Sequence, residues 1–220
     1  MCSSDLTNPY ADAFFAWWES DLHRTLEELR ITGGEPLMSG ETWRLLDWFK
    51  TNKGQSQTRL AINSNLGREV DVDRLLDSIE GLEVDIYTSM ESTRLQAEYI
   101  RDGLNYNQWL RNVQKILDSD DIRALHCMCT INALCLHSLP DLLKSLEHLK
   151  VLYGRDRVSF TLNILRFPSF QSALVLPDHL RTHYKDQLAD FLVRHQGCDY
   201  LNESEINQLQ RLIDYLDVVK

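Results

Sequence analysis

The chain has 220 residues, with 23 Lys and Arg against 33 Asp and Glu, for a net charge of −10. That balance argues against the basic face a nucleic-acid partner requires, and it disfavours adhesion to an anionic membrane surface. At 43% hydrophobic and 25% charged, the composition is that of one globular domain with a sizeable core.

No run approaches the roughly 18 to 20 apolar residues of a membrane span. The opening MCSSDLTNPY lacks the basic and apolar stretches of a secretory signal. Cys2, Cys127, Cys129, Cys135 and Cys198 are an odd set of five, which reads as reduced thiols. The expectation is a cytoplasmic protein with neither nucleic acid nor membrane as partner.

Residues 9–24 read as a helix, with Ala11, Phe14, Phe15, Trp18 and Leu22 at helical spacing. A short strand follows at Leu29–Ile31, then helix at 41–52 and strand at Arg59–Ser64. Asp71–Ile79 reads as helix and Glu83–Met90 as strand. Helices near 93–101 and 106–118 precede a strand at Arg123–Ile131, a helix at Pro140–His148 and a strand at Val158–Leu165. From Pro177 on the pattern is mostly helical, with a break at Gly197. Strands alternating with helices imply βαβ units and a parallel sheet. Because the chain opens on a helix, a strand is expected to be missing ahead of it.

Strands of a parallel sheet are usually apolar on both faces. Here Leu29 and Ile31 alternate with Arg30 and Thr32. Val84, Ile86 and Thr88 alternate with Asp85, Tyr87 and Ser89, and Val158, Phe160, Leu162 and Ile164 with Ser159, Thr161 and Asn163. Each strand therefore has one face fit to pack under helices and one polar face. The polar faces either line a barrel that holds a polar ligand or face water on an open sheet.

The first strand runs into Thr32-Gly33-Gly34-Glu35-Pro36-Leu37. Two glycines let the backbone approach a ligand closely, and Pro36 stiffens the exit. Backbone carbonyls and the Glu35 carboxylate suit a cationic amino group. By chemistry alone the motif is equally a simple turn.

The stretch Leu26–Leu37 resembles the second strand of radical S-adenosylmethionine enzymes, whose GGEP turn holds the amino group of the methionine moiety. Further segments match in the family's order. Ala61-Ile62-Asn63-Ser64-Asn65 resembles the third strand, and Tyr87-Thr88-Ser89-Met90-Glu91-Ser92 the fourth. Gln96–Leu104 is similar to the Arg-x-Gly approach to the fourth helix, and Thr130-Ile131-Asn132 to the end of the fifth strand. The resemblance, closest to the twitch and SPASM group, covers most of residues 9–180.

The resemblance implies an α/β fold, a partial (β/α)6 barrel of parallel strands with the first strand missing. S-adenosylmethionine would lie against Gly33, Gly34, Glu35, Pro36, Asn63, Asn65, Ser89, Glu91, Arg101 and Asn132. An intact enzyme would also carry a [4Fe–4S] cluster, draw on an external electron donor and generate a 5′-deoxyadenosyl radical. Peptides are among its candidate substrates.

The chain departs from that pattern. The family's Cys-x3-Cys-x2-Cys motif is absent, no cysteine-rich extension follows Lys220, and the third-strand motif ends Asn-Ser-Asn where Thr-Asn-Gly is common. Reverse-translated with GTG as start codon, Met1–Leu6 matches a common sequencing-adapter sequence. The expectation is a non-native leader over 1–6, followed by a partial barrel domain with a C-terminal helical segment over 7–220.

Arg101 could neutralise the methionine carboxylate or form a surface salt bridge. His126, Cys127, Cys129, Cys135 and His137 invite a zinc-hydrolase reading, against which Cys127 and Cys129 read as small core residues on the face opposite His126. A barrel without a cluster, binding only S-adenosylmethionine or a partner, is the other alternative. Trp17, Trp18, Trp43, Trp48 and Trp109 read as packing residues. Asp120, Asp121, Glu203 and Glu205 read as solvated surface.

Overall fold

A computed structural model describes residues 8–195 and 200–218. The proposed leader at 1–6, Cys2, Cys198 and the break at Gly197 lie outside the described residues. Helix α1 (Pro9–Trp17) is capped by the Asn8 side chain, which accepts from the amides of Tyr10 and Ala11. It continues through a π-helical turn, Trp18–Leu22, into α2 (His23–Thr25).

The expected α-helical spacing through Leu22 fails at this turn. A π turn adds one residue, so the residue buried after Trp18 is His23, while Leu22 is half-buried against the margin of the core. The His23 ring nitrogen Nδ1 lies 2.6 Å from the Trp18 carbonyl oxygen. Trp17, read as a packing residue, is 57% exposed, because Phe15 and Trp18 already occupy the inward stripe.

Five strands follow: β1 (Glu28–Ile31), β2 (Arg59–Asn63), β3 (Val84–Ser89), β4 (Ile122–Ile131) and β5 (Val158–Ile164). They form one sheet in the order β1-β2-β3-β4-β5, every pair parallel. Parallel neighbours need helical crossovers. These are α3 (Gly40–Thr51), α4 (Glu69–Ser78), the pair α5 (Arg94–Ile100) and α6 (Tyr106–Leu117), and α7 (Leu139–Tyr153). Helix α7 runs five residues past the expected end at His148, since Leu149 and Lys150 are both buried. Two helices, α8 (Asp178–Arg194) and α9 (Glu203–Leu216), close the described chain.

The strand side chains that enter the core share one face: Leu60 and Ile62, Val84 and Ile86, Leu125, Cys127, Cys129 and Ile131, Val158, Phe160 and Leu162. The opposite face carries Asn63, Tyr87, Ser89, His126, Met128, Ser159 and Thr161, all half-buried. Thr88 points into the core, where its hydroxyl accepts from the Trp109 indole at 3.1 Å. The fold is thus an α/β fold built on a five-stranded parallel sheet flanked by helices, with an open polar face.

The last edge is not bare. Glu205, Gln208 and Arg211 lie three residues apart on α9 and bond the free side of β5. Phe160 N–H donates to Glu205 (3.0 Å), Leu162 N–H donates to Gln208 (2.6 Å), and Arg211 donates to the Leu162 carbonyl (2.7 Å). Glu205, expected in solvent, is 1% exposed and paired with buried Lys150 at 2.5 Å. Its position at N3 of α9 also closes a capping box with Asn202. Among the described residues, no helix is long and apolar enough to cross a membrane.

Candidate functional site

Strand β1 ends at Ile31 and the chain turns at Gly33, whose φ of 137° is open to glycine and strained for other residues. Glu35 caps the 3₁₀ turn Pro36–Met38, accepting from the Leu37 amide at 3.3 Å. The same carboxylate accepts from the Ser64 hydroxyl (2.9 Å) and the Asn65 amide (2.7 Å) just past β2. Three donors from two loops therefore hold Glu35. A carboxylate has about four acceptor directions, so one remains.

Glu35 stands between two clefts. One, of about 460 Å³, lies along β1 between α1 and α3 and is lined by Phe14, Phe15, Leu29, Arg30 and Gly34. The other, of about 220 Å³, is lined by Ser64, Asn65, Leu66, Asp71 and Gly103.

Asn65 turns the chain out of β2, its side chain accepting from Gly67 N–H at 2.8 Å. Ser64 N–H donates to the Tyr87 carbonyl (2.8 Å), which ties this loop to β3. Asn63 accepts from Arg30 Nε at 3.0 Å. Past β3, Glu91 is 4% exposed and receives a two-pronged contact from Arg101, at 2.8 and 2.5 Å. Arg101 thus forms the ion pair, one of its two expected roles, and keeps part of its guanidinium exposed.

Gly33, Gly34, Glu35, Pro36 and Asn65 come together around one clasp, and Glu91 and Arg101 around another. Ser89 is half-buried, in register with Met128 of β4. Asn132 is not drawn into either clasp. Its side chain is spent within its own turn, donating to the Thr130 carbonyl and accepting from Leu134 N–H.

The sequence reading missed Ser64 as the partner of Glu35. It also missed a row across the open face: Arg30, Tyr87, His126 and Ser159. The polar alternation of the strands was the signal for that row, but only cross-strand register shows that its members touch.

The described thiols are not gathered into a metal centre. Cys127 and Cys129 sit on the covered face, 3.9 Å apart, while His126 points to the open one. Among the described residues no three His, Cys, Asp or Glu side chains converge as ligands, so His126, Cys127, Cys129, Cys135 and His137 are not gathered around one point. The neighbouring Cys127 and burial push the Cys129 thiol well up, and burial pushes Cys135 up to about 12. Metal ligation needs thiolates. Among the described residues these fully buried thiols are not gathered with further ligands, so they do not fit a [4Fe–4S] cluster, and Cys2 and Cys198 lie outside the described residues.

No protein-family model, curated protein or solved structure matches this chain.

Proposed function

We propose that the chain is a barrel segment of the radical S-adenosylmethionine type that binds S-adenosylmethionine at the C-terminal ends of β1–β3. The observation that carries this reading is the Glu35 clasp. A Gly-Gly-Glu-Pro turn is anchored to the next strand's end, leaving one carboxylate acceptor and the backbone carbonyls of Gly33 and Gly34 for an ammonium group. Ligands of parallel α/β sheets bind at this end of the strands. Strands in sequential order, with one face under helices and the other polar, also fit a segment of an open barrel.

Within this reading, Glu35 and the glycine carbonyls hold the methionine ammonium, and Asn65 and Ser89 offer hydrogen bonds to the rest of the ligand. Arg101, oriented by Glu91, faces the methionine carboxylate. S-adenosylmethionine, when reduced by a cluster, supplies a 5′-deoxyadenosyl radical. The described thiols do not fit such a cluster, so the reading for this chain is confined to binding.

Calorimetric titration with S-adenosylmethionine tests it. Glu35→Ala removes a charge-assisted hydrogen bond of about 1.5–3 kcal/mol, so affinity should fall roughly tenfold to a hundredfold. Because Glu35 also holds the β2 loop, Ser64→Ala is the control. It loosens the clasp but keeps the carboxylate, so it should lower the melting temperature and leave affinity within about threefold. Absence of binding by the parent chain, or equal binding by Glu35→Ala, would overturn the proposal.

A further inference from the structure

The open face carries a second arrangement, centred on Arg30, Tyr87, His126 and Ser159. Strand register sets Asn63 beside Tyr87, Tyr87 beside His126 and His126 beside Ser159, with Arg30 on the neighbouring row. The Arg30 guanidinium lies over the Tyr87 ring at 3.6 Å from its centroid, and the Tyr87 and His126 rings stack at 4.4 Å and 29°. Each end of this stack is held. Arg30 Nε donates to Asn63 Oδ1, and His126 Nδ1 lies 2.6 Å from the Ser159 hydroxyl.

A guanidinium stacked on an aromatic ring has already lost most of its rotational freedom, so a ligand that meets it loses less entropy on binding. Arg30 is exposed; its Nη2 meets the Met128 sulfur, a weak acceptor, at 3.7 Å, and among the described residues it forms no ion pair. Two carboxylates are rooted near it on this face: Glu28, two residues earlier on β1, is paired with Arg59, and Asp85 is buried and paired with Arg123. The pairing follows from a shift in register between β3 and β4, where Val84 faces Ile122 and Asp85 faces Ala124. Arg59 and Arg123 are thus spent on carboxylates, and Arg30 is the guanidinium of this patch that, among the described residues, forms no ion pair. Burial lowers the His126 pKa from its ordinary value, which keeps the ring neutral, able to donate or accept a hydrogen bond.

We propose that this row is a binding subsite for a carboxylate-bearing small molecule, with Arg30 as the anchor and Tyr87 and His126 as the platform beside it. The planar fork of arginine matches a carboxylate's two oxygens. A phosphate, with more charge to neutralise, would call for a further free cation. The subsite goes beyond S-adenosylmethionine binding and is measured without that ligand, so either proposal can fail while the other stands.

The probe is glutarate, titrated into the full chain at neutral pH. The readout is the His126 ring-proton signal in NMR, assigned by its loss in His126→Gln. A saturable shift in the millimolar range is expected. It should be at least tenfold weaker in Arg30→Gln and weaker for inorganic phosphate than for glutarate. If Arg30→Gln does not fold, Arg30→Lys decides, since it keeps the charge but loses the planar fork and should bind severalfold more weakly. An unmoved His126 signal, equal binding by the folded Arg30 variant, or phosphate bound as tightly as glutarate would overturn the proposal.

Discussion

The two edges of the sheet are finished in opposite ways. At β5 every outward group described above has a side-chain partner on α9, and the ion pair behind them is dry, with Lys150 and Glu205 at 2% and 1% side-chain exposure. At β1 the outer flank opens on the 460 Å³ cleft, and its ion pair, Arg59–Glu28, is 54% and 44% exposed. A strand edge left bare invites pairing, and α9 removes that hazard at β5 with side chains in place of another strand. The charges at the sealed edge therefore hold the fold. Those near the open edge (Arg30 and Glu35) keep exposed or unfilled hydrogen-bonding capacity, which is what a binding site requires.

The largest effect should come from breaking the sealed edge. Lys150→Met leaves Glu205 buried without its cation and removes the bond to the Tyr200 carbonyl. Removing one partner of a buried pair typically costs about 3–5 kcal/mol. Urea unfolding of the variant should show a loss of that order. A loss below about 1 kcal/mol would mean that water reaches the pair and that the two edges are alike.

The covered face between the edges gives the next effect. Burial raises the Cys135 thiol to about 12, from 9.0 in an exposed thiol. The unfolded chain then releases this proton at lower pH than the folded chain. Stability owed to the neutral thiol is complete below about pH 9 and is lost as pH rises towards 12, by at most about 1.4 kcal/mol per pH unit. Cys129 acts in the same direction. Unfolding measured at pH 8, 9.5 and 10.5 should show this decline, and Cys135→Ala should flatten part of it. An identical pH slope in the variant would contradict the assignment.

A smaller effect is expected from Gln208→Ala, which strips one rung from the α9 ladder and leaves Leu162 N–H unpaired. The net cost of such a bond is about 1 kcal/mol. Stability unchanged within about 0.2 kcal/mol would show that water replaces the rung and that the seal rests on Glu205 and Arg211.

These edges also mark how far the sequence could be read. The strands were legible because their alternation has period two, and the Gly-Gly-Glu-Pro turn because its residue types are unusual at a strand end. Glu205 was misread because Glu205, Gln208 and Arg211 form a polar helical stripe, which in isolation is what a solvated face looks like. Only the edge of a distant strand makes that stripe an interior one. The slip from Leu22 to His23 was hidden for a similar reason: a π turn leaves no mark in spacing until the partners of Trp18 (Trp48 and Phe49) are known. The role of Ser64 and the Arg30–Tyr87–His126 stack depend on strand register, which no single strand encodes.

The smallest effect belongs to the open edge and completes the contrast. Glu28 and Arg59 sit opposite each other in the β1–β2 register, 3.5 Å apart at their charged atoms, and both side chains are half in water. An exposed pair gains little Coulomb energy, loses side-chain entropy on forming and is screened by salt. A double-mutant cycle on Glu28→Gln and Arg59→Gln should return a coupling below about 0.5 kcal/mol, falling further in 0.5 M NaCl. The matching cycle on Lys150→Met and Glu205→Gln should return several times more and hardly respond to salt, because both charges are out of reach of the ions. If the two couplings were equal, or if the outer pair were the stronger, burial would not be what separates the edges. The division between a sealed structural flank and an open binding flank would then lose its physical basis.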